Sequence, residues 1–76
     1  MKRIHFYVAL VAGIWTVAVG GLNPIPVGDR AQAIAFATRT ARELWRDIHV
    51  PTAVRVRDDA GNWKDEKRFG DERPTA

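Results

Sequence analysis

The uncharged run from Phe6 to Leu22, "FYVALVAGIWTVAVGGL", is the feature that most constrains the fold, because so long an apolar stretch has few places to lie. Extended to Ile4 and Asn23, it would span roughly 30 Å as a helix at about 1.5 Å per residue, which matches the hydrocarbon core of a bilayer. The run therefore predicts a single transmembrane helix over residues 6–22.

The basic residues around this helix set its orientation. Lys2 and Arg3 precede the apolar run, whereas the next basic residue after it is Arg30. The side of a membrane helix that is richer in Lys and Arg stays in the cytoplasm, so residues 1–5 are predicted to be cytoplasmic. The rest of the chain would then lie on the periplasmic side of a bacterial inner membrane.

A second interpretation of the same segment stays open. A positive start, an apolar run and the small residues "AVGG", Ala18 to Gly21, are also the features of a secretory signal peptide. Cleavage in this region would leave an exported periplasmic module that binds or inhibits a partner.

Small side chains recur along the predicted membrane helix at the spacing of one helix face. Ala12, Thr16 and Gly20 lie four residues apart, and Ala9 and Gly13 form an adjoining strip. Small residues let helix backbones approach closely, so this face is predicted to contact a partner subunit. The alternative is that Gly and Ala are simply common in membrane helices.

Trp15 is a further predicted partner contact, because it falls near the middle of the predicted span instead of at a membrane interface. Its indole N–H would enter hydrocarbon unless a partner protein, a pigment or a quinone covered it. The alternative is a tryptophan tolerated against lipid, since its apolar area is large compared with one N–H.

Beyond the apolar run the sequence becomes mixed in character. Two prolines in "NPIPVGD" predict a stiff linker over residues 23–29, and Asp29 is a candidate N-cap for a helix over 30–49. The alternating "TAVRVR" and the turn residues "DDAGN" predict a short β-hairpin within 50–66, followed by a disordered, charged tail over 67–76. The predicted fold class is therefore mainly α: a membrane helix, a Pro-containing linker, an amphipathic helix, one hairpin and a tail.

The predicted second helix is amphipathic. Its apolar positions include Trp45, while Arg39, Arg42 and Arg46 are expected to project together from the other side. An arginine stripe beside an apolar stripe is typical of a helix on anionic lipid or against an acidic partner; the alternative is an ordinary solvated face. Trp63, where the return strand of the hairpin begins, is a further candidate partner contact, because an isolated hairpin needs something to pack on, either the amphipathic helix or another protein.

The residue inventory argues against catalysis. The chain has no serine and no cysteine, and its only histidines are His5 and His49. The usual hydroxyl and thiolate nucleophiles are therefore missing, and two distant histidines with scattered carboxylates give no metal-ligand spacing. We expect no enzyme activity, no cofactor and no metal.

Nucleic acid is not among the expected partners, although the formal net charge is +3. The basic residues follow a membrane-type segment and are not interleaved with exposed aromatic residues, as a base-stacking surface requires. Larger membrane-protein subunits and the lipid bilayer are expected instead.

Together these observations predict a non-catalytic, single-span accessory subunit that scaffolds or stabilises a larger bacterial membrane complex, such as a respiratory or photosynthetic one. The part outside the membrane would be too small to bury much core and has no disulfide, so it would need cover from its host.

Overall fold

The computed structural model describes residues 3–70, and most of the elements in it are strands. In chain order the elements are β1 (Ile4–Val11), β2 (Ile14–Val19), β3 (Ile25–Pro26), α1 (Arg30–Ile48), β4 (Thr52–Arg57) and β5 (Trp63–Phe69). The prediction of a mainly α fold is therefore wrong, because five strands and one helix give these residues a mixed α/β structure.

The apolar run folds as the β1–β2 hairpin instead of a helix. Ala12 and Gly13 connect the two strands with φ angles of 53° and 82°, the pair of left-handed conformations that a two-residue hairpin turn requires. Valine and aromatic residues on both sides of this turn favour extended backbone. Phe6, Val8 and Val17 are fully buried, so the apolar character of the run is explained by a protein core.

The predicted transmembrane helix over residues 6–22 is wrong for this reason, and so is the single-pass location in a bacterial inner membrane. Among residues 3–70 no helix combines the length and the apolar character that crossing a bilayer requires. Removal of the run as a signal peptide, the other interpretation of this segment, would delete β1, the strand at the centre of the sheet.

The five strands form one sheet in the order β3-β2-β1-β4-β5. β1 pairs in parallel with β4, whereas every other neighbouring pair is antiparallel. A parallel pair needs a crossover connection, and α1 lies in the segment that joins these two strands. The helix packs on one face of the sheet, mainly over β4 and β1.

A capping box starts α1. The Asp29 carboxylate accepts a hydrogen bond from the Gln32 backbone N–H at 2.8 Å, and the Gln32 side-chain oxygen accepts one from the Asp29 N–H at 3.1 Å. The fully buried residues of the helix, which face the sheet, are all alanines, and their small side chains allow a close helix–sheet contact. The core consists of Phe6, Val8, Val17, Ala33, Ala37, Ala41, Val54 and Val56.

Two of the predicted segments differ in extent from the observed elements. The predicted linker over 23–29 contains β3, a short edge strand. The predicted hairpin within 50–66 continues to Phe69, so the first residues of the predicted tail belong to β5. The rest of that tail, residues 71–76, and the first two residues of the predicted cytoplasmic N-terminus lie outside the described residues.

Candidate binding surface on the helix-free face

One face of the sheet carries α1, and we call the opposite face the helix-free face. Because side chains alternate between the two faces of a strand, the residues next to the core positions Phe6, Val8 and Val54 belong to the helix-free face. Among residues 3–70 no second helix or sheet covers it. Its residues are His5, Tyr7, Ala9 and Val11 of β1; Ile14, Thr16 and Ala18 of β2; Ala53, Arg55 and Arg57 of β4; and Trp63, Asp65 and Arg68 of β5.

Three aromatic rings form a row across this face. The rings of His5 and Tyr7 are stacked, with centroids 5.9 Å apart and planes inclined by 28°. The rings of Tyr7 and Trp63 meet edge to face, with centroids 5.3 Å apart and planes inclined by 78°. Trp63 is 42% exposed although its side chain is large and apolar. An exposed ring held by a second ring is a surface on which another planar group can stack.

Arginines are interleaved with these rings. Arg55 lies directly opposite Tyr7 in the parallel β1–β4 pair, and Arg57 lies opposite Trp63 in the antiparallel β4–β5 pair. The sheet thereby alternates aromatic and basic residues that are distant in sequence. We call the following group the aromatic–arginine surface: His5, Tyr7, Arg55, Arg57, Trp63, Asp65 and Arg68.

Asp65 is the acidic member of this surface and contacts two of its arginines. Arg55 Nε donates a hydrogen bond to Asp65 Oδ1 at 2.9 Å, and Arg68 Nη1 lies 3.6 Å from Asp65 Oδ2. The Arg55 and Asp65 side chains are 41% and 33% exposed, so water reaches the pair and screens it. The pair orients the guanidinium group of Arg55 and contributes little to stability.

A β-bulge interrupts the pairing of β4 with β5. Lys67 is paired with Val54, and Asp65 is paired with Arg55, the next residue of β4. Glu66 is therefore an extra residue in β5 without a partner position in β4.

This bulge decides which face Trp63 occupies. Phe69, on the C-terminal side of Glu66, packs against the core, whereas Trp63, on the N-terminal side, contacts Tyr7 on the helix-free face. In a regular strand these two residues would share a face, because side chains repeat every two residues. The extra residue is thus what places Trp63 in the aromatic–arginine surface.

The helix-free face is apolar at the end of the β1–β2 hairpin that carries the turn. Val11 and Ile14, paired beside the hairpin turn, are each 50% exposed. The next inward pair consists of Ala9 and Thr16, both nearly buried, and Thr16 Oγ1 donates a hydrogen bond to the Ala9 carbonyl oxygen at 3.0 Å. The helix-free face therefore has an apolar region beside the β1–β2 turn and an aromatic, basic region formed by β1, β4 and β5.

The small residues predicted to line a membrane-helix face have other positions in the hairpin. Ala12 and Gly13 form its turn, and Gly20 follows β2 with a φ of 59°. Ala9 and Thr16 are a cross-strand pair. The predicted stripe with a four-residue spacing does not form, because the segment is not helical.

Trp15 lies on the other side of the sheet from Trp63, at the edge of the core. It is half-buried, and the guanidinium carbon of Arg30 lies 6.0 Å from the centroid of its ring. Its surroundings are therefore α1 and the sheet instead of hydrocarbon.

The other predicted contact residues are on α1. Arg39, Arg42 and Arg46 are exposed, and Arg46 Nε donates to the neighbouring Asp47 Oδ1 at 3.1 Å. Trp45 is half-buried at the end of the helix, where its ring meets that of the C-cap residue His49 with centroids 5.3 Å apart. Of the contact residues named from the sequence, Trp63 alone belongs to the aromatic–arginine surface.

A cavity of about 330 Å³ opens near the end of the sheet where β1 and β4 terminate. The Asp58 carboxylate at its rim accepts hydrogen bonds from the backbone N–H groups of Ala60 and Asn62 at 2.9 and 2.8 Å, so it holds the β4–β5 turn. Among residues 3–70 no group of His, Asp and Glu side chains is placed to hold a metal ion. The cavity is lined by Leu10, Trp15, Arg57, Asp58, Asp59 and Gly61.

Sequence reasoning missed most of the aromatic–arginine surface. The sequence predicts His5 in a cytoplasmic N-terminus, Tyr7 at the start of a membrane helix, and Arg55 on the polar side of a hairpin. The local signal that could have found the first two is the two-residue period of His5 and Tyr7 around buried Phe6, which is typical of a strand with one open face.

Comparisons of the chain with protein families, with curated proteins and with solved structures give no match.

Proposed function

We propose that this protein is a non-catalytic module that binds nucleic acid through the aromatic–arginine surface. The observation that carries the proposal is the interleaving of aromatic and arginine residues in the register of the sheet, with Tyr7 opposite Arg55 and Trp63 opposite Arg57. Bases stack on aromatic side chains and phosphates pair with guanidinium groups, so each part of a nucleotide has a complementary group on this face.

The charge of the chain supports an anionic ligand. The formal net charge is +3 and the sequence pI is about 10.0. The aromatic–arginine surface itself has three arginines against Asp65 as its acidic residue. A nucleic acid that approaches such a surface releases condensed counterions, which favours binding most at low salt.

The expectation that nucleic acid is not a partner rested on two premises: the basic residues follow a membrane-type segment, and they are not interleaved with exposed aromatic residues. The predicted membrane segment folds as the β1–β2 hairpin. In the sheet, β1 supplies Tyr7, β4 supplies Arg55 and Arg57, and β5 supplies Trp63, so neighbouring strands interleave the two residue types. Neither premise describes this fold, so neither argues against nucleic acid as a partner.

The edges of the sheet are poorly suited to accept a strand from a partner, which favours binding through the helix-free face over binding at an edge. β3 at one edge is two residues long and ends in Pro26, which has no backbone N–H to donate. β5 at the other edge carries Lys64, Glu66 and Lys67 and is interrupted by the bulge. Charged side chains and bulges both discourage edge-to-edge pairing.

The non-catalytic part of the proposal follows from the sequence, which lacks the serine and cysteine nucleophiles. The membrane-complex subunit expected from the sequence is not proposed again, because residues 6–22, its predicted membrane helix, fold as the β1–β2 hairpin and the turn after it. A protein partner is a competing outcome of the test below, since Tyr, Trp and Arg are also enriched at protein interfaces.

The test is the anisotropy of fluorescein-labelled oligonucleotides of mixed sequence, both single-stranded and duplex, titrated with the full chain between about 50 and 200 mM salt. The double variant Arg55→Gln/Arg57→Gln removes two charges from the helix-free face. Its matched control, Arg39→Gln/Arg42→Gln, removes two exposed charges from α1. Circular dichroism checks that both variants are folded.

We expect the face variant to bind more weakly, with a salt slope smaller by about one unit for each arginine that contacts a phosphate. The α1 control should keep the affinity and slope of the parent chain. Absence of binding to every oligonucleotide, or an equal loss in the two variants, would overturn the proposal and favour a protein partner for this face.

A further inference from the structure

Resting on the proposed function, we infer that the ligand is an unpaired strand, DNA or RNA, whose bases stack on Trp63 and the neighbouring ring of Tyr7. A duplex hides the faces of its bases inside the helical stack. An unpaired strand exposes them, and it can lay them on a sheet face while its phosphates reach the arginines beside the rings.

The width of the sheet disfavours a duplex on this face. Five strands spaced about 4.8 Å apart make a surface about 19 Å wide, whereas the major groove of B-DNA is about 12 Å wide and admits one helix or a two-stranded ribbon. Trp63 and Tyr7 lie on the two sides of β4, on the edge strand β5 and on β1, and their rings meet on the face of the sheet. They could therefore reach the bases of an open strand but not those inside a groove.

The distribution of charge also makes stacking necessary. Arg55 and Arg68 both form ion pairs with Asp65, and its negative charge offsets part of their positive charge. A duplex binder that relies on phosphates needs many basic contacts, about six to ten in well-studied cases. With only three arginines on the surface, the phosphate contribution is small, and base stacking has to supply much of the affinity.

The ring geometry identifies Trp63 as the main stacking platform. Its ring is the more exposed of the pair, and the edge-to-face contact with Tyr7 holds it at a fixed inclination of 78°. Because Tyr7 contacts Trp63 instead of covering it in parallel, the two rings present differently inclined faces. A strand would place successive bases on them, as aromatic residues on other open sheets take two or three bases.

The experiment uses the full chain and four labelled probes of one sequence: single-stranded DNA, single-stranded RNA and the two corresponding duplexes. Two substitutions at one position separate stacking from apolar burial. Trp63→Phe keeps an aromatic face, whereas Trp63→Leu keeps an apolar side chain without one. Leu22→Ala, which shortens an exposed apolar residue outside the helix-free face, is the control.

We expect the parent chain to bind at least one single strand about 5- to 150-fold more tightly than its duplex, the range that corresponds to stacking of one base. Trp63→Leu should remove most of that preference, while Trp63→Phe and Leu22→Ala should retain it. The DNA and RNA arms show which backbone is preferred, and a preference for either supports the inference.

Equal binding of single strands and duplexes, with loss only in the face-charge variant, would overturn the unpaired-strand inference and leave nucleic-acid binding intact. An unchanged preference in Trp63→Leu would also overturn it. Failure of all four probes to bind would overturn the proposed function itself, so the two failures are distinguishable.

Discussion

Trp63 and Phe69 lie on the same strand with an even spacing, yet their side chains are on opposite faces of the sheet. Phe69 packs against the core under α1, and Trp63 contacts the ring of Tyr7 on the helix-free face. Glu66, the extra residue of the bulge, accounts for the change of face. One strand thereby serves both the core and the candidate binding surface.

Deletion of Glu66 should restore a regular strand in which Trp63 and Phe69 share a face. We expect Phe69 to stay in the core, since burying a Phe side chain is worth up to about 1.5–3 kcal/mol, and an aromatic pair only about 0.5–1.5 kcal/mol. Trp63 would then lose Tyr7, and nuclear Overhauser contacts between the two rings should vanish. Glu66→Ala, which keeps the length of β5, should retain them; ring contacts that survive the deletion would contradict this role of the bulge.

Replacement of Asp65 by Asn should strengthen oligonucleotide binding. The substitution removes the acidic charge from the aromatic–arginine surface and leaves Arg55 free to meet a phosphate, at a stability cost of about 0.2–1 kcal/mol for an exposed pair. The same energy range corresponds to an affinity gain of about 1.4- to 5-fold. The control is Asp47→Asn, which breaks the exposed pair with Arg46 on α1. Equal affinities of the two variants in the anisotropy titration would count against the surface.

Enlargement of Ala37 should destabilise the fold, because this residue is fully buried where α1 meets the sheet. Ala37→Leu adds volume to a packed contact, and we expect the free energy of unfolding to fall by about 1–3 kcal/mol in urea denaturation. Ala35→Leu makes the same change at an exposed position of the same helix and should stay within about 0.5 kcal/mol of the parent. Similar losses in both variants would mean that α1 does not pack through its alanines.

Local sequence signals are sufficient to locate two parts of this fold. Asp29 followed by residues at helical spacing indicates α1, and the alternation of Val54 and Val56 with arginines indicates a strand followed by a turn. The run from Phe6 to Leu22 misleads, because its strands lie inside the sheet and most residues on both of their faces are apolar. The alternation is then weak, and an uncharged run of this length resembles a membrane helix.

The candidate surface depends on information that no local pattern contains. Tyr7 and Arg55 become neighbours only through the parallel pairing of β1 with β4, across the whole of α1. Trp63 joins them only because of a bulge at Glu66, and the charged sequence around that residue gives no sign of it. Long-range pairing and one irregularity in register therefore create the site, which is why sequence reasoning found Trp63 but not its neighbours.

The hairpin turn offers a stabilising substitution. Ala12 has a φ of 53°, a left-handed conformation that costs an L-residue with an ordinary side chain about 1–2 kcal/mol, whereas Asn followed by Gly is the preferred pair for such a turn. Ala12→Asn should therefore raise the free energy of unfolding by up to about 1 kcal/mol in urea denaturation.

Ala12→Val is the matched opposite, because a β-branched side chain fits this conformation worse than Ala and should lower the free energy of unfolding. Neither change touches the aromatic–arginine surface, so oligonucleotide affinity should stay that of the parent chain. If Asn and Val had the same effect on stability, Ala12 would not occupy the left-handed turn position. The β1–β2 hairpin, and with it the position of Tyr7 in the sheet, would then need a different register.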